Sequence, residues 1–226
     1  MDHDDIASTD PTPPDADAPA ETRAGTVALV GYPNAGKSSL MNQMVEQKLS
    51  IVTPLAQTTR ERVLGIDTRD GVQMVFVDTP GLVEPRYLLH KSMLHQAMEV
   101  IHDSDVVLLL VDAAASAGVP EFSEDVLGLL ARAKSLIVVS NKTDLARPGQ
   151  LARVRQWAEE RFPGAAVFEV SALTGDAVGA LRAEIATRLP VSPFLYPEDD
   201  VAARRAFSRD VEALVRMGVP VEVVEG

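Results

Sequence analysis

The sequence predicts an α/β domain built on a mainly parallel six-stranded sheet, with one antiparallel edge strand and helices on both faces. Three observations carry this. From residue 26 onward, short β-branched runs alternate with helical patterns, the order that strand–helix–strand units produce. These runs are continuously apolar, as strands covered on both faces require. One pair of runs instead meets across Asp70-Gly71, a two-residue hairpin signal that makes the pair antiparallel.

The elements follow in order. Residues 1–24 carry seven acids against Arg23, half of the chain's net charge of −12, and are rich in Pro, Ala and Thr. With so little to bury they are expected to be a disordered, solvated tail. Residues 25–190 hold the main domain: TVALVG as the first strand, a helix from about Lys37, the hairpin of ERVLGIDTRDG with VQMVFVD, then DVVLLLVDA, LIVVSNK and AVFEVSA, with helices between. A chain of 226 residues, 46% of them hydrophobic, supports one such core and no second full domain. The helices end near Leu189, and the prolines at 190, 193 and 197 mark residues 191–200 as a connector. Within 201–226, Asp200 is placed to cap a helix over about 201–217, with Phe207, Val211, Leu214 and Val215 on one stripe. That stripe reads as a face docked on the main domain. The closing VPVEVVE reads as a strand, either frayed or added to another sheet edge.

Composition narrows the function classes. There is no cysteine, so disulfides and thiolate metal sites are excluded, and residues 1–24 lack the basic start and apolar core of a signal peptide. The longest apolar run, around residues 105–115, is too short for a transmembrane segment. A cytoplasmic location is expected. Neither the tail nor the rest of the chain has the basic balance of a nucleic-acid footprint.

Four motifs carry chemistry, each at the carboxyl end of an expected strand. Gly31-Tyr32-Pro33-Asn34-Ala35-Gly36-Lys37-Ser38-Ser39 has the spacing of a phosphate-binding loop between strand and helix. Its N–H groups are suited to surround a β-phosphate, with Lys37 neutralising β- and γ-oxygens and the Ser38 hydroxyl binding Mg²⁺. Alone, the loop is also compatible with a plain glycine turn. Asp78-Thr79-Pro80-Gly81 puts a carboxylate in reach of a magnesium-bound water and the Gly81 N–H in reach of a γ-phosphate. In Asn141-Lys142-Thr143-Asp144, the Asp144 carboxylate accepts from the N1–H and N2 amino group of guanine, whereas adenine leaves it unpaired. GTP is thus favoured over ATP. Ser171-Ala172-Leu173 offers a backbone N–H towards guanine O6.

On these motifs, residues 25 to about 200 resemble the G domain of the Era GTPase family, within the translation-factor-related P-loop GTPases. SIVTPLAQTTRERVLGI resembles that family's first switch, VDTPGLVEPRYLLHKSMLHQA its second, and YPED at 196–199 its interdomain linker. The resemblance implies the P-loop GTPase fold and a switch that hydrolyses GTP to GDP with Mg²⁺, at a slow intrinsic rate. It implies phosphate and nucleotide contacts from Gly31, Asn34, Ala35, Gly36, Lys37, Ser38 and Ser39. It places Ser38, Thr59 and Asp78 at the metal, with Thr58 as the alternative to Thr59. Lys142 is expected along the guanine plane, with Asn141 tying the base loop to the phosphate loop. Lys37, Asn34, Thr59 and Gly81 are the residues expected to act in catalysis. Many GTPases place a water-orienting glutamine after the DTPG-like glycine, where this chain has Leu82. Asn34, by the family pattern, implies a bound K⁺ that supplies positive charge instead, and a loop-stabilising side-chain hydrogen bond is its plainer alternative.

The chain also departs from the family. Era proteins carry a C-terminal KH domain that binds the end of small-subunit ribosomal RNA, but residues 201–226 offer at most its first elements and no GxxG loop. That weakens the expectation of direct RNA binding more than that of GTP chemistry. The leading reading is a GTPase acting in small ribosomal subunit assembly, through ribosomal protein or RNA. The second is a regulatory GTP-binding module acting through a protein partner. The third is a derived domain that binds nucleotide but barely turns over, with ATP use a minor fourth. His90, His95 and His102 lack the spacing of a zinc pair, and Met41, Met44 and Trp157 read as packing. Arg60 and Arg62 read as ordinary exposed arginines, with an RNA or partner contact as the alternative.

Overall fold

A computed structural model describes residues 21–45, 63–78, 98–116 and 118–197. The elements are β1 (Arg23–Gly31), α1 (Lys37–Met44), β2 (Val63–Arg69), β3 (Val72–Asp78), α2 (described over residues 98–103), β4 (Val106–Asp112), α3 (Glu124–Leu130), β5 (Leu136–Asn141), α4 (Pro148–Arg161), β6 (Ala166–Glu169) and α5 (Val178–Arg188). They form a six-stranded sheet in the order β2-β3-β1-β4-β5-β6. Among the described strands only β2 with β3 is an antiparallel pair, as the hairpin signal implies.

The apolar runs become intelligible once both faces are covered. Along β1, Val27 and Leu29 join one core while Ala28 and Val30 join the other, and β4 divides Leu108 and Leu110 from Val107 and Leu109 in the same way. One face packs against Leu40, Met41 and Met44 of α1 and Leu181 and Ile185 of α5. The other packs against Ile101 of α2, Leu130 of α3, and Val154 and Ala158 of α4. Each buried Leu, Ile or Val contributes about 1.5–3 kcal/mol by leaving water, so no polar alternation survives in the central strands. Met41 and Met44 are therefore packing residues, and Trp157 lies 6.3 Å from the ring of Phe122 and 5.7 Å from that of Phe162.

Asp70 and Gly71 both have positive φ, 54° and 72°, the backbone that a tight two-residue hairpin demands. The hairpin is also held by charge. Asp67 on β2 is buried and accepts from Arg69 Nε and Arg182 Nε, both at 2.7 Å, while Arg69 reaches the Met44 carbonyl at the end of α1. Burying a carboxylate without partners is costly, and the two arginines supply them.

β1 begins at Arg23, inside the stretch expected as tail, because residues 190–192 pair with its start. Arg23 bridges Val191, Ala24 N–H donates to Pro190 O at 3.3 Å and Ser192 N–H donates to Thr22 O at 3.0 Å. Gln73 then clasps the Tyr196 backbone from both sides, at 2.8 and 2.9 Å. The expected tail over residues 1–20, the end of the connector, and the helix and strand of 201–226 lie outside the described residues. So do His90, His95, Arg60 and Arg62. His102 is exposed beside Asp103. No described helix is long and apolar enough to cross a membrane.

Candidate nucleotide site

Strand order reverses direction around β1: the chain next adds β3 on one side and β4 on the other. In open parallel sheets the crevice beyond the carboxyl ends at such a point is where ligands bind. The loop that leaves β1 there is Gly31–Lys37, and α1 starts immediately behind it.

The loop is folded around its own lysine. Lys37 Nζ donates to the carbonyls of Gly31 at 2.8 Å and Tyr32 at 3.0 Å, and Ala35 N–H donates back to Tyr32 O at 3.2 Å. Asn34 and Gly36 sit in the left-handed region, at φ 65° and 97°. Gly36 is the N-cap of α1, whose first turn contains no acid and no capping side chain. The helix dipole and the uncapped N–H groups there favour an anion. Ser38 and Ser39 are exposed, Ala35 is buried and Asn34 is exposed.

Asn141, at the end of β5, joins three loops. Its Nδ2 donates to Ala35 O of the phosphate loop at 2.8 Å, and its Oδ1 accepts from Ala172 N–H at 3.0 Å. It is 1% exposed, so both groups depend on these bonds. Asp144 is exposed, but one oxygen is fixed by the Ser171 hydroxyl at 2.6 Å, and that hydroxyl accepts from Thr174 N–H. Because Ala172 N–H is taken by Asn141, the N–H of Leu173 is the one in this turn without an acceptor among the described residues. Leu173 itself is 79% exposed.

Lys142 takes φ 67°, and its Nζ reaches Asp112 Oδ2 at 2.6 Å. Asp112 is a site residue that the motifs did not single out. Its signal was its position as the last residue of an apolar strand run, at the sheet end where parallel-sheet sites collect. Tyr32 lies inside the loop motif, which gives it no role: its ring stacks on Phe122 at 5.0 Å and its hydroxyl donates to Glu121 O.

A cavity of about 520 Å³ opens beside the loop, lined by Tyr32, Pro33, Ala35, Leu110 and Asp112 among others. Another, of about 430 Å³, lies on the outer side of α4 and holds the Arg155–Glu169 pair, whose hydrogen bond and charge raise the Arg155 pKa above its usual value. It contains no motif residue. Asp78 closes β3 next to Leu29 of β1, one strand from the loop. Thr58, Thr59, Gly81 and Leu82 lie outside the described residues.

The sheet order, the loop and the strand-end motifs define a P-loop domain of the GTPase class. A family model described as a 50S ribosome-binding GTPase matches residues 26–142. A GTPase Era of Bradyrhizobium diazoefficiens is 42% identical over 190 residues, covering 82% of this chain and 60% of that protein. Among solved structures, Era in complex with MgGDPNP and nucleotides 1506–1542 of 16S ribosomal RNA superposes with a TM-score of 0.65 at 34% identity, over 79% of this chain and 61% of that one. A variant of Aquifex aeolicus Era bound to GDP·AlF4⁻ superposes with a TM-score of 0.62 at 32% identity, over the same shares. The chain belongs to the Era GTPase family. It spans about 60% of the length of the curated relatives it matches.

Gly36 provides a direct check on this geometry. A Cβ there would run into the Asn141 side-chain amide, and φ 97° already disfavours any other residue. Gly71, at φ 72°, has open space around it. Gly36→Ala should therefore destabilise the fold by about 2–4 kcal/mol, from left-handed strain plus a disturbed buried amide, and Gly71→Ala by about 1 kcal/mol. Urea unfolding of both variants measures the difference; equal costs would contradict the close approach.

Proposed function

We propose that the chain is a GTP-binding switch that hydrolyses GTP to GDP and phosphate, and that it serves small ribosomal subunit assembly. The observation that carries the nucleotide part is the Asn141 bridge, which holds the phosphate loop, the base motif and the 171–173 turn in one arrangement. A preformed site spends less binding free energy on ordering.

In this reading the base lies against the stem of Lys142 and covers exposed Leu173. Asp144 accepts from guanine N1–H and N2, and the Leu173 N–H meets O6. The loop N–H groups and Lys37 take the phosphates, with Lys37 exchanging its Gly31 and Tyr32 carbonyls for phosphate oxygens. The Ser38 hydroxyl, exposed on the first turn of α1, fits the oxygen donor that a hard divalent cation needs, with Asp78 one strand away. Magnesium would neutralise phosphate charge there. Thr59 and Gly81 are the γ-phosphate sensors in this reading, so that GTP and GDP states present different surfaces.

Leu82 offers no group to orient water. Asn34 is exposed, and among the described residues its side chain makes no hydrogen bond, which favours potassium coordination over loop stabilisation. A ribosomal role is supported by the family model, whose description is of 50S ribosome binding, and the small-subunit reading by the neighbour solved with 16S ribosomal RNA.

Three outcomes test this. Asp144→Asn should move base preference from guanine towards xanthine in nucleotide competition, since the amide N–H donates to the C2 carbonyl oxygen that xanthine has where guanine carries its 2-amino group; unchanged selectivity would remove the base assignment. GTP turnover should be faster in potassium than in sodium at matched ionic strength, and equal rates would reject a potassium role for Asn34. In co-sedimentation with small ribosomal subunits, retention with a non-hydrolysable GTP analogue but not with GDP is expected. No retention in either state would turn the proposal towards a protein partner.

A further inference from the structure

We propose that Asp112 is a positioning residue for guanine binding: it fixes the course of the Lys142 side chain before the base arrives. The inference rests on the GTP reading above and extends it to a residue outside the four motifs.

Both ends of the Lys142–Asp112 connection are anchored by backbone. Asp112 closes β4 directly opposite Asn141 on β5, and Ala113 N–H donates to Asn141 O at 2.9 Å. Oδ1 of Asp112 accepts from Ala114 N–H at 3.0 Å, which folds the carboxylate onto its own turn. Its second oxygen is left for Lys142 Nζ, at 2.6 Å. On the other side, Lys142 holds φ 67° and its carbonyl accepts from Leu145 N–H at 3.0 Å. Between those two fixed points the four-carbon stem has little freedom. The two side chains are 30% and 27% exposed, so the pair is neither fully screened nor sealed from the site.

An exposed ion pair by itself contributes little to stability. What matters here is entropy. A free lysine side chain must surrender its rotamers when a base is laid along it, and ordering one such chain weakens binding by about three- to tenfold. With Asp112 in place that ordering is completed in folding. The loss without it should fall on GDP and GTP alike, because both carry the same base, and on affinity rather than on the bond-breaking step.

Asp112→Asn is the informative variant: the amide oxygen still accepts from Ala114 N–H, so the turn survives while the charge goes. Fluorescent-GDP titration and single-turnover GTP hydrolysis of the wild type, D112N, K142M and the double variant read the effect. D112N should bind about three- to tenfold more weakly, through the dissociation constant and not the single-turnover rate constant, and should cause no further loss in the K142M background. Wild-type affinity in D112N, or the same loss persisting without Lys142, would overturn the proposal. The latter would mark Asp112 as a folding residue only. A wild-type chain that binds no guanine nucleotide would overturn the GTP reading itself, and this inference with it.

Discussion

The site depends on one buried side-chain amide. Asn141 has two hydrogen-bonding groups and almost no contact with water, so each must find a partner inside the protein, and the partners belong to different loops. Donation to Ala35 sets the height of the phosphate loop over the sheet. Acceptance from Ala172 sets the turn beyond β6. Because Asn141 is also the last residue of β5, paired in register with Asp112 of β4, the constraint is referred to the rigid sheet and not to another loop. Three separate segments thereby acquire one frame, which a ligand that spans phosphate and base requires.

The far end of the molecule is organised by the same logic of unpaired groups. Buried Gln73 finds its partners in the backbone of Tyr196, and buried Asp67 finds Arg69 and Arg182. The first draws the residues after α5 back onto β3. The second ties the β2–β3 hairpin to α5 and to the end of α1. The β2–β3 hairpin is therefore braced by polar contacts, while the central strands are held by apolar burial on both faces.

These contrasts explain what could be read in the sequence. Runs such as VVLLLVD are legible because a strand covered on both faces is apolar at nearly every position, and Asp70-Gly71 is legible because few pairs accept positive φ at both residues. Motif residues at strand ends could be placed for the same reason: the strands around them were clear. Asp67 with Arg182 and Asp112 with Lys142 were not legible, since partners 115 and 30 residues apart leave no period and no motif. The Pro-rich stretch after Leu189 reads as a connector, and its backbone pairs with Thr22 and Ala24, a contact that side-chain composition does not encode. Ala172 is an instructive middle case. Its motif was recognised, but only the geometry shows its N–H committed to Asn141, which shifts the free donor to Leu173.

The central claim is that the loops joined by Asn141 form a guanine nucleotide site. Calorimetric titration of the chain with GDP and, separately, with ADP in magnesium buffer tests it most directly. Saturable one-to-one binding of GDP with no detectable ADP binding is the predicted result. ADP binding as tight as GDP, or no binding of either, would contradict it.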